Sequence, residues 1–378
     1  MRNVLKIFLL LFFPLFSCDE YKWTYELGKG KGQNQARIVH KSGSDYYILG
    51  NNNFNDNKQE NIIIKLNQNG ENEWEYVFRD LDKSEDKINI TDFVISTDNT
   101  IYATGNQWIS KNEVFQAVIY IIKEGELIES KTFPEFEKME AVIMKNSKLA
   151  ILATTYNSKT ILSLNNDLTK NWDKKIQTST STSYLNYFNN FYYFIAINPY
   201  PYELKLLKLN LEGLVIWERT FNIENLGEIY NNIKKNPTHY FLPNNQEIIN
   251  NQIILTGYNR NSPNFDYLIL DCVDGEILKA KHTNLEDLKI VPCDSKLELL
   301  KAPSGLLNKP KNNNRNQFES QVVFQAFDST KVEVCYCSSP KLQDEKFGIN
   351  DFIIEDSLFV GFKIMNSNYD QKWKINKY

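Results

Sequence analysis

Residues 46–76 read YYILGNNNFNDNKQENIIIKLNQNGENEWEY. A short apolar segment ends at Gly50, and a second apolar run covers Ile62–Leu66. Asn67, Gln68, Asn69 and Gly70 then lead to a segment carrying Trp74. Asn, Asp and Gly tolerate the positive φ that tight hairpins require, so this is a strand, a turn and a strand with a stated mechanism.

The same order returns along the chain. Apolar segments end in glycine at 50, 105, 257 and 361, namely Tyr46–Gly50, Ile101–Gly105, Ile253–Gly257 and Leu358–Gly361; the intervals of 55, 152 and 104 are close to one, three and two multiples of about 51. Diverged copies at Leu149–Thr154, Tyr192–Ile197 and Val322–Phe327 fill the gaps. The turn recurs as Asn165, Asn166 and Asp167 before Trp172, and as Asn210 to Gly213 before Trp217. Gly125 and Gly275 keep the four-residue spacing, with Glu129 and Lys279 in the tryptophan position.

With a leading strand such as Arg37–His40, each unit holds four antiparallel strands, the anatomy of a propeller blade. One blade alone leaves both faces wet, whereas radial stacking buries them. The expectation is all-β: a single β-propeller of about seven four-stranded blades over residues 18–378. Gln371–Tyr378 matches a penultimate strand. Tyr21–Tyr25 matches the missing outer one and resembles Glu73–Tyr76, with Trp23 standing 51 residues before Trp74. The amino-terminal strand is therefore expected to complete the last blade and close the ring.

The units resemble the tandem propeller repeats of secreted bacterial proteins, carried best by Lys65, Leu66, Asn67, Asn69, Gly70 and Trp74, and next by Lys208, Leu209, Asn210, Gly213 and Trp217. That resemblance implies a fold rather than an activity. Quinoprotein propellers resemble the repeat too, and they imply a calcium held by carboxylates and often adjacent cysteines; here Tyr336 separates Cys335 from Cys337. The layout also resembles that of a propeller lipoprotein of outer-membrane protein assembly, whose eight shorter blades fit this period poorly.

Residues 1–17 carry Arg2 and Lys6, then an apolar run from Ile7 to Phe16. At about ten residues the run is half of what a membrane-spanning helix needs, so it reads as a secretory signal. Leu15, Phe16, Ser17 and Cys18 resemble a lipobox, which implies cleavage before Cys18 and acylation of its thiol. Asp19 and Glu20 resemble the surface-display signal of lipoproteins of the Bacteroidota, and in enterobacteria an aspartate there resembles an inner-membrane retention signal. The Asn-, Lys- and Ile-rich usage favours the first reading, a lipid-anchored protein of the outer membrane or cell surface. Loss of Arg2 and Lys6 with the leader takes the net charge from −4 to −6, which offers no generic attraction to nucleic acid.

No nucleotide-binding glycine loop, nucleophile elbow or zinc-protease motif occurs. His40, His239 and His282 fall in different units without metal-ligand spacing. The Asn51–Asn57 loop with Asp56 offers calcium-type oxygen ligands, with a plain solvated loop as the simpler expectation. Cys272, Cys293, Cys335 and Cys337 allow a bridge from Cys293 to Cys335 or Cys337, or else free buried thiols. Two regions are binding candidates: Tyr200 and Tyr202, alternating with Pro199 and Pro201 in an expected loop at the end of an aromatic-rich stretch, and the basic, Asn-rich segment 301–319 with Lys301, Lys309, Lys311 and Arg315, expected to loop outside the packed ring. The functional expectation is a non-catalytic binding or scaffold propeller for an envelope protein or glycan. The alternative is a carbohydrate-active enzyme with its site in the central channel.

Overall fold

The computed structural model of the chain describes residues 22–27, 34–55, 58–79, 87–109, 112–155, 157–178, 182–199, 202–222, 245–259, 264–284, 291–292, 298–300, 306–310, 318–328, 331–337, 347–353, 358–364 and 371–377. Its strands form seven sheets, each a blade. Blade 1 comprises Gln35–Ser42, Asp45–Asn55, Lys58–Leu66 and Asn72–Phe78; blade 2 comprises Ile88–Ile95, Ile101–Ile109, Val114–Lys123 and Glu126–Phe133. Blade 3 runs over Lys138–Lys145, Lys148–Thr155, Ser158–Asn165 and Lys170–Gln177, and blade 4 over Thr182–Phe188, Phe191–Pro199, Tyr202–Leu209 and Val215–Asn222. Blade 5 holds Asn245–Ile249, Gln252–Asn259, Asn264–Asp271 and Ile277–Asn284. Within each of these blades the four strands pair antiparallel in chain order. In blade 7, Phe347–Ile353, Leu358–Ile364 and Gln371–Lys377 are followed at the outer edge by Trp23–Leu27. Trp23 stands opposite Lys377 and Leu27 opposite Trp373, so the amino-terminal strand does complete the last blade.

Blade 6 is irregular. Phe318–Asp328 pairs with Lys331–Cys337 on one side and with both Glu298–Leu300 and Leu306–Pro310 on the other, while Val291–Pro292 adds to Lys331–Cys337 in parallel. The segment expected as a loop outside the ring thus contains a strand of this blade. An eleven-residue strand facing only three residues would leave most of one edge unpaired, and Leu306–Pro310 satisfies that edge opposite Phe318–Val322.

The repeat follows from two local devices. Gly70, Gly125, Gly213 and Gly275 have φ of 81°, 80°, 79° and 76°, the left-handed region open to glycine. The Asn67 carboxamide oxygen accepts the amides of Asn69 and Glu71, and Asn210 does the same for Glu212 and Leu214, tying each turn from within. The strand-ending glycines answer to the preceding strand. One residue bulges out of register at Arg37 in blade 1, Thr91 in blade 2, Glu140 in blade 3 and Asn350 in blade 7. Each bulge begins opposite Gly50, Gly105, Ala153 or Gly361. At Gly50 and Gly105 a Cβ would land on the carbonyl oxygen of Gln35 or Asn89, so the bulge presses backbone into space only glycine leaves open.

Successive blades bury apolar side chains between them. One shared core joins blades 7 and 1 through Trp373, Ile375, Tyr46 and Ile62, and the next joins blades 1 and 2 through Tyr47, Ile63, Val118 and Tyr120. Equivalent cores lie between blades 2 and 3, 3 and 4, and 4 and 5. Burial of each large side chain contributes roughly 1.5–3 kcal/mol, which is why a lone blade gains too little and a ring suffices.

Candidate functional site

The ring has two unlike ends. One carries the turns between first and second and between third and fourth strands of each blade. Trp23 belongs to this end: its indole Nε1 donates to the Gln68 carbonyl oxygen at 3.0 Å, and its ring lies against Gly70. The other end carries the arms between second and third strands, whose lengths differ. In blade 3 the arm closes at Thr155 opposite Ser158, two residues past Ala153. In blade 2 it runs four residues past Gly105, to Ile109 opposite Val114. At about 3.3 Å per residue, the blade 2 arm overtops its neighbour by roughly 7 Å.

That projecting arm is apolar and exposed. Phe115 is 43% and Val114 42% exposed, and Trp108 meets Phe115 edge to face with ring centroids 4.9 Å apart. Trp108, Phe115 and Asn106 share the sheet face whose lower part, Tyr102, Ala117 and Ile119, packs on blade 3. The Trp108 amide donates to the Lys87 carbonyl at 2.9 Å, so the arm is braced from the inner side. Asn106 Oδ1, and Asn51 Oδ1 at the same level of blade 1, are buried acceptors that meet no donor among the described residues.

Below this step lies a ring of polar contacts between blades. Arg37, the bulged residue of blade 1, donates to the Ile90 carbonyl at 2.6 Å and to Asn61 Oδ1 at 3.0 Å; Asn61 Nδ2 donates to the Ile88 carbonyl at 2.7 Å. Thr91 donates to the Met139 carbonyl, and Asp92 accepts the Val142 amide at 2.9 Å. In blade 3, Lys159 occupies the position of Asn61 and pairs with the bulged Glu140 at 2.8 Å, while Ser183 of blade 4 donates to the same carboxylate at 2.8 Å. Lys159 is 2% exposed at its side chain. Burial alone raises the Glu140 pKa, but Lys159, Ser183 and Lys138 outweigh it and hold the carboxyl below its ordinary range. Arg37, Asp92 and Glu140 are thus engaged in joining blades, with Lys159 paired to Glu140 within blade 3.

The residues singled out in the sequence are distributed as follows. Tyr202 opens the third strand of blade 4 opposite Pro199, at the same ring end as Trp108, and Tyr200 lies outside the described residues. Most of the aromatic stretch before them packs the interior: Tyr192, Tyr193 and Phe194 are buried, and Tyr184, Phe188 and Phe191 pack on the core shared with blade 5. Lys309 stands opposite Glu319 in blade 6, while Lys301, Lys311 and Arg315 lie outside the described residues, as do Cys18, Asp56, His239 and Cys293. Cys335 and Cys337 belong to the strand Lys331–Cys337, and Cys272 is a free thiol, pushed up to about 11 by burial. His40 packs edge-on against Phe93. Among the described residues no three His, Cys, Asp or Glu side chains are placed to hold a metal ion, and no helix is long and apolar enough to cross a membrane. Trp108 and Phe115 carry no signal in the sequence, because they lie beyond the glycine-ended segment that defines the repeat, in an arm whose length varies from blade to blade.

The fold is that of a β-propeller. It is similar to a solved structure of the polysaccharide lyase Uly1, with 7% identity over 91% of this chain and 89% of that one and a TM-score of 0.53. It also matches the β-propeller domain of the Trilobed protease from Pyrococcus furiosus, with 13% identity, 90% and 96% coverage and a TM-score of 0.46, and the AfRom2 CNH domain, with 9% identity, 94% and 98% coverage and a TM-score of 0.48. No protein-family model matches the sequence, and no curated protein matches it either.

Proposed function

We propose that this protein is a lipid-anchored propeller of the cell envelope, non-catalytic, that presents the arm-bearing end of its ring to a partner. The observation that carries the reading is the placement of Trp23 and Trp108 at opposite ends. Cys18, the proposed acylation site, precedes Trp23 by five residues, a reach of at most roughly 17 Å. A membrane held at that distance meets the turn end and leaves the exposed arm of blade 2 facing away. The engagement of Arg37, Asp92 and Glu140 between blades, with Lys159 paired to Glu140, supports binding over catalysis, because a general acid or base needs a group free to meet substrate.

The test is mass spectrometry of the amino-terminal peptide of the protein taken from its native envelope, with a Cys18→Ala variant beside it. A diacylglyceryl-modified Cys18, and release of the variant into the soluble fraction, are expected. An unmodified Cys18 on a protein that still sediments with membranes would overturn the anchor.

A further inference from the structure

We infer that Asn69 and Gly70 form a self-modification site, a succinimide-forming pair held shut by Trp23, so that deamidation of Asn69 accumulates as the ring opens at its closure strand. The inference is independent of the anchor and of any partner. Asn69–Gly70 is the only Asn-Gly pair in the sequence; the other glycines that stand under a tryptophan, Gly125, Gly213 and Gly275, follow Glu124, Glu212 and Asp274. The chemistry is intramolecular. The Gly70 backbone nitrogen gives up its proton and attacks Asn69 Cγ, the Cγ–Nδ2 bond breaks, and the side-chain nitrogen leaves with a proton as ammonia. Water then opens the five-membered imide at either carbonyl, giving aspartate, or isoaspartate where the former main-chain carbonyl is attacked. Glycine suits the second position because no Cβ shields the attacking nitrogen. A glutamate before glycine would have to close a six-membered ring, and an aspartate must expel water instead of ammonia, so Asn69 is the reactive member of the set.

The closed ring holds this pair in a form that does not react. The Gly70 amide donates to the Asn67 carbonyl oxygen at 3.0 Å, so its nitrogen is engaged rather than free to attack. The Asn69 amide donates to Asn67 Oδ1 at 2.9 Å, which ties the turn from its other side. Over both lies Trp23, with its ring against Gly70 and its Nε1 on the Gln68 carbonyl oxygen at 3.0 Å. The cover is a slight element: Trp23–Leu27 is five residues long, pairs only with Gln371–Lys377, and has no fully buried residue. An edge strand with so few buried contacts opens locally at low cost, and the turn beneath it then loses its restraint. Asn69 is exposed, so water reaches the imide once it forms. Isoaspartate carries the main chain through Cβ and Cγ, one carbon longer between positions 69 and 70, where Trp23 sits too closely on Gly70 to accommodate a shifted backbone. A ring that opens and reacts therefore does not regain its seal, and the modification runs one way.

The experiment ages the full chain at mildly alkaline pH and then follows the tryptic peptide Leu66–Arg79 by mass spectrometry, with electron-transfer fragmentation to separate aspartate from isoaspartate at position 69. The wild type, folded and unfolded in urea, is compared with Trp23→Ala, Trp23→Phe and Trp172→Ala, the last removing the equivalent cover of Gly213 between blades 3 and 4. The folded wild type is expected to deamidate more than about a hundredfold more slowly than the unfolded chain, and Trp23→Ala about tenfold faster than the folded wild type, the gain that a loss of about 1.4 kcal/mol in local opening brings. Trp172→Ala is expected to keep the wild-type rate. Trp23→Phe keeps a ring on Gly70 but loses the Nε1 donor, so its rate is expected to fall between, and it carries the comparison if the alanine variant does not fold. Equal rates in the folded and unfolded wild type, no aspartate or isoaspartate at position 69 in either Trp23 variant, or rates in the folded Trp23 variants no higher than in the wild type would overturn the inference. Trp172→Ala accelerating the reaction as much as the Trp23 changes would assign it to unfolding of the whole ring and overturn it likewise.

Discussion

Trp23 Nε1 donates to the Gln68 carbonyl oxygen at 3.0 Å, and the Trp23 ring lies on Gly70, one blade further round the ring. The relationship repeats. Trp74 of blade 1 covers Gly125 of blade 2, Trp172 of blade 3 covers Gly213 of blade 4, and Trp217 of blade 4 meets Gly275 of blade 5. The indole N–H finds the same turn carbonyl at Leu211 from Trp172 and at Cys272 from Trp217. Where blade 2 has Glu129 instead, the turn it would cover in blade 3 has Leu168 at φ 58° in place of glycine. Each tryptophan thus seals the edge of its own blade against the next, and Trp23 applies the same seal where the chain's first described strand meets blade 1.

Replacing Gly70 with alanine sets a Cβ into the Trp23 ring at a φ of 81°, so strain and overpacking add. The expected cost is about 2–4 kcal/mol. Gly43→Ala, at φ 61° with nothing within 4 Å, is expected to cost only about 1–2 kcal/mol. Urea midpoints of the two variants, measured side by side, check the difference; equal losses would remove Trp23 from the account of the turn.

Gly105→Ala meets backbone rather than a side chain, since its Cβ would strike the Asn89 carbonyl. Backbone within the bulged strand has little room to retreat, and a loss of about 3 kcal/mol or more is expected. The reverse change at the matching position of blade 3, Ala153→Gly, is expected to cost about 1 kcal/mol. A Gly105→Ala protein with wild-type stability would contradict the link between bulge and glycine.

Removing Glu140 strands the buried Lys159 ammonium, so Glu140→Ala is expected to lose about 3–5 kcal/mol, and Glu140→Leu with Lys159→Met less than the two single losses together. The Glu140 carboxyl is depressed in the fold relative to its ordinary 4.5, so its contribution is complete above that value and disappears as pH falls through the lower folded value. A stability profile from neutral into strongly acidic pH is expected to have a flatter acid limb in the double variant than in the wild type.

Much of this fold is legible in the sequence, because hairpin turns declare themselves by residue type: Asn67 with Gly70, and Asn210 with Gly213, mark where a third strand hands over to a fourth. The period, the blade count and the role of Trp23–Leu27 follow from them. The contacts between blades are less legible. Arg37, Thr91 and Glu140 occupy one structural position with three different side chains, and two of them bond to backbone carbonyls, which leave no residue-type signature. Blade 6 is hard to read because Leu306–Pro310 sits in a Lys- and Asn-rich stretch whose composition suggests a loop, whereas the open edge of Phe318–Asp328 recruits it as a strand. The step at Trp108 and Phe115 is invisible for a third reason: it depends on one arm being longer than its neighbour, a comparison between blades that the individual copies do not contain.

The central claim, a ring standing on its turn end with the aromatic arm directed outward, is tested most directly by depth-dependent quenching. The lipidated protein is placed on vesicles carrying headgroup spin labels, with a fluorescent side chain introduced either at Gln68, beside Trp23, or at Val114, on the arm tip. The account predicts strong quenching at Gln68 and little at Val114. Quenching at Val114 equal to or greater than at Gln68, or a protein that does not sediment with the vesicles, would contradict it.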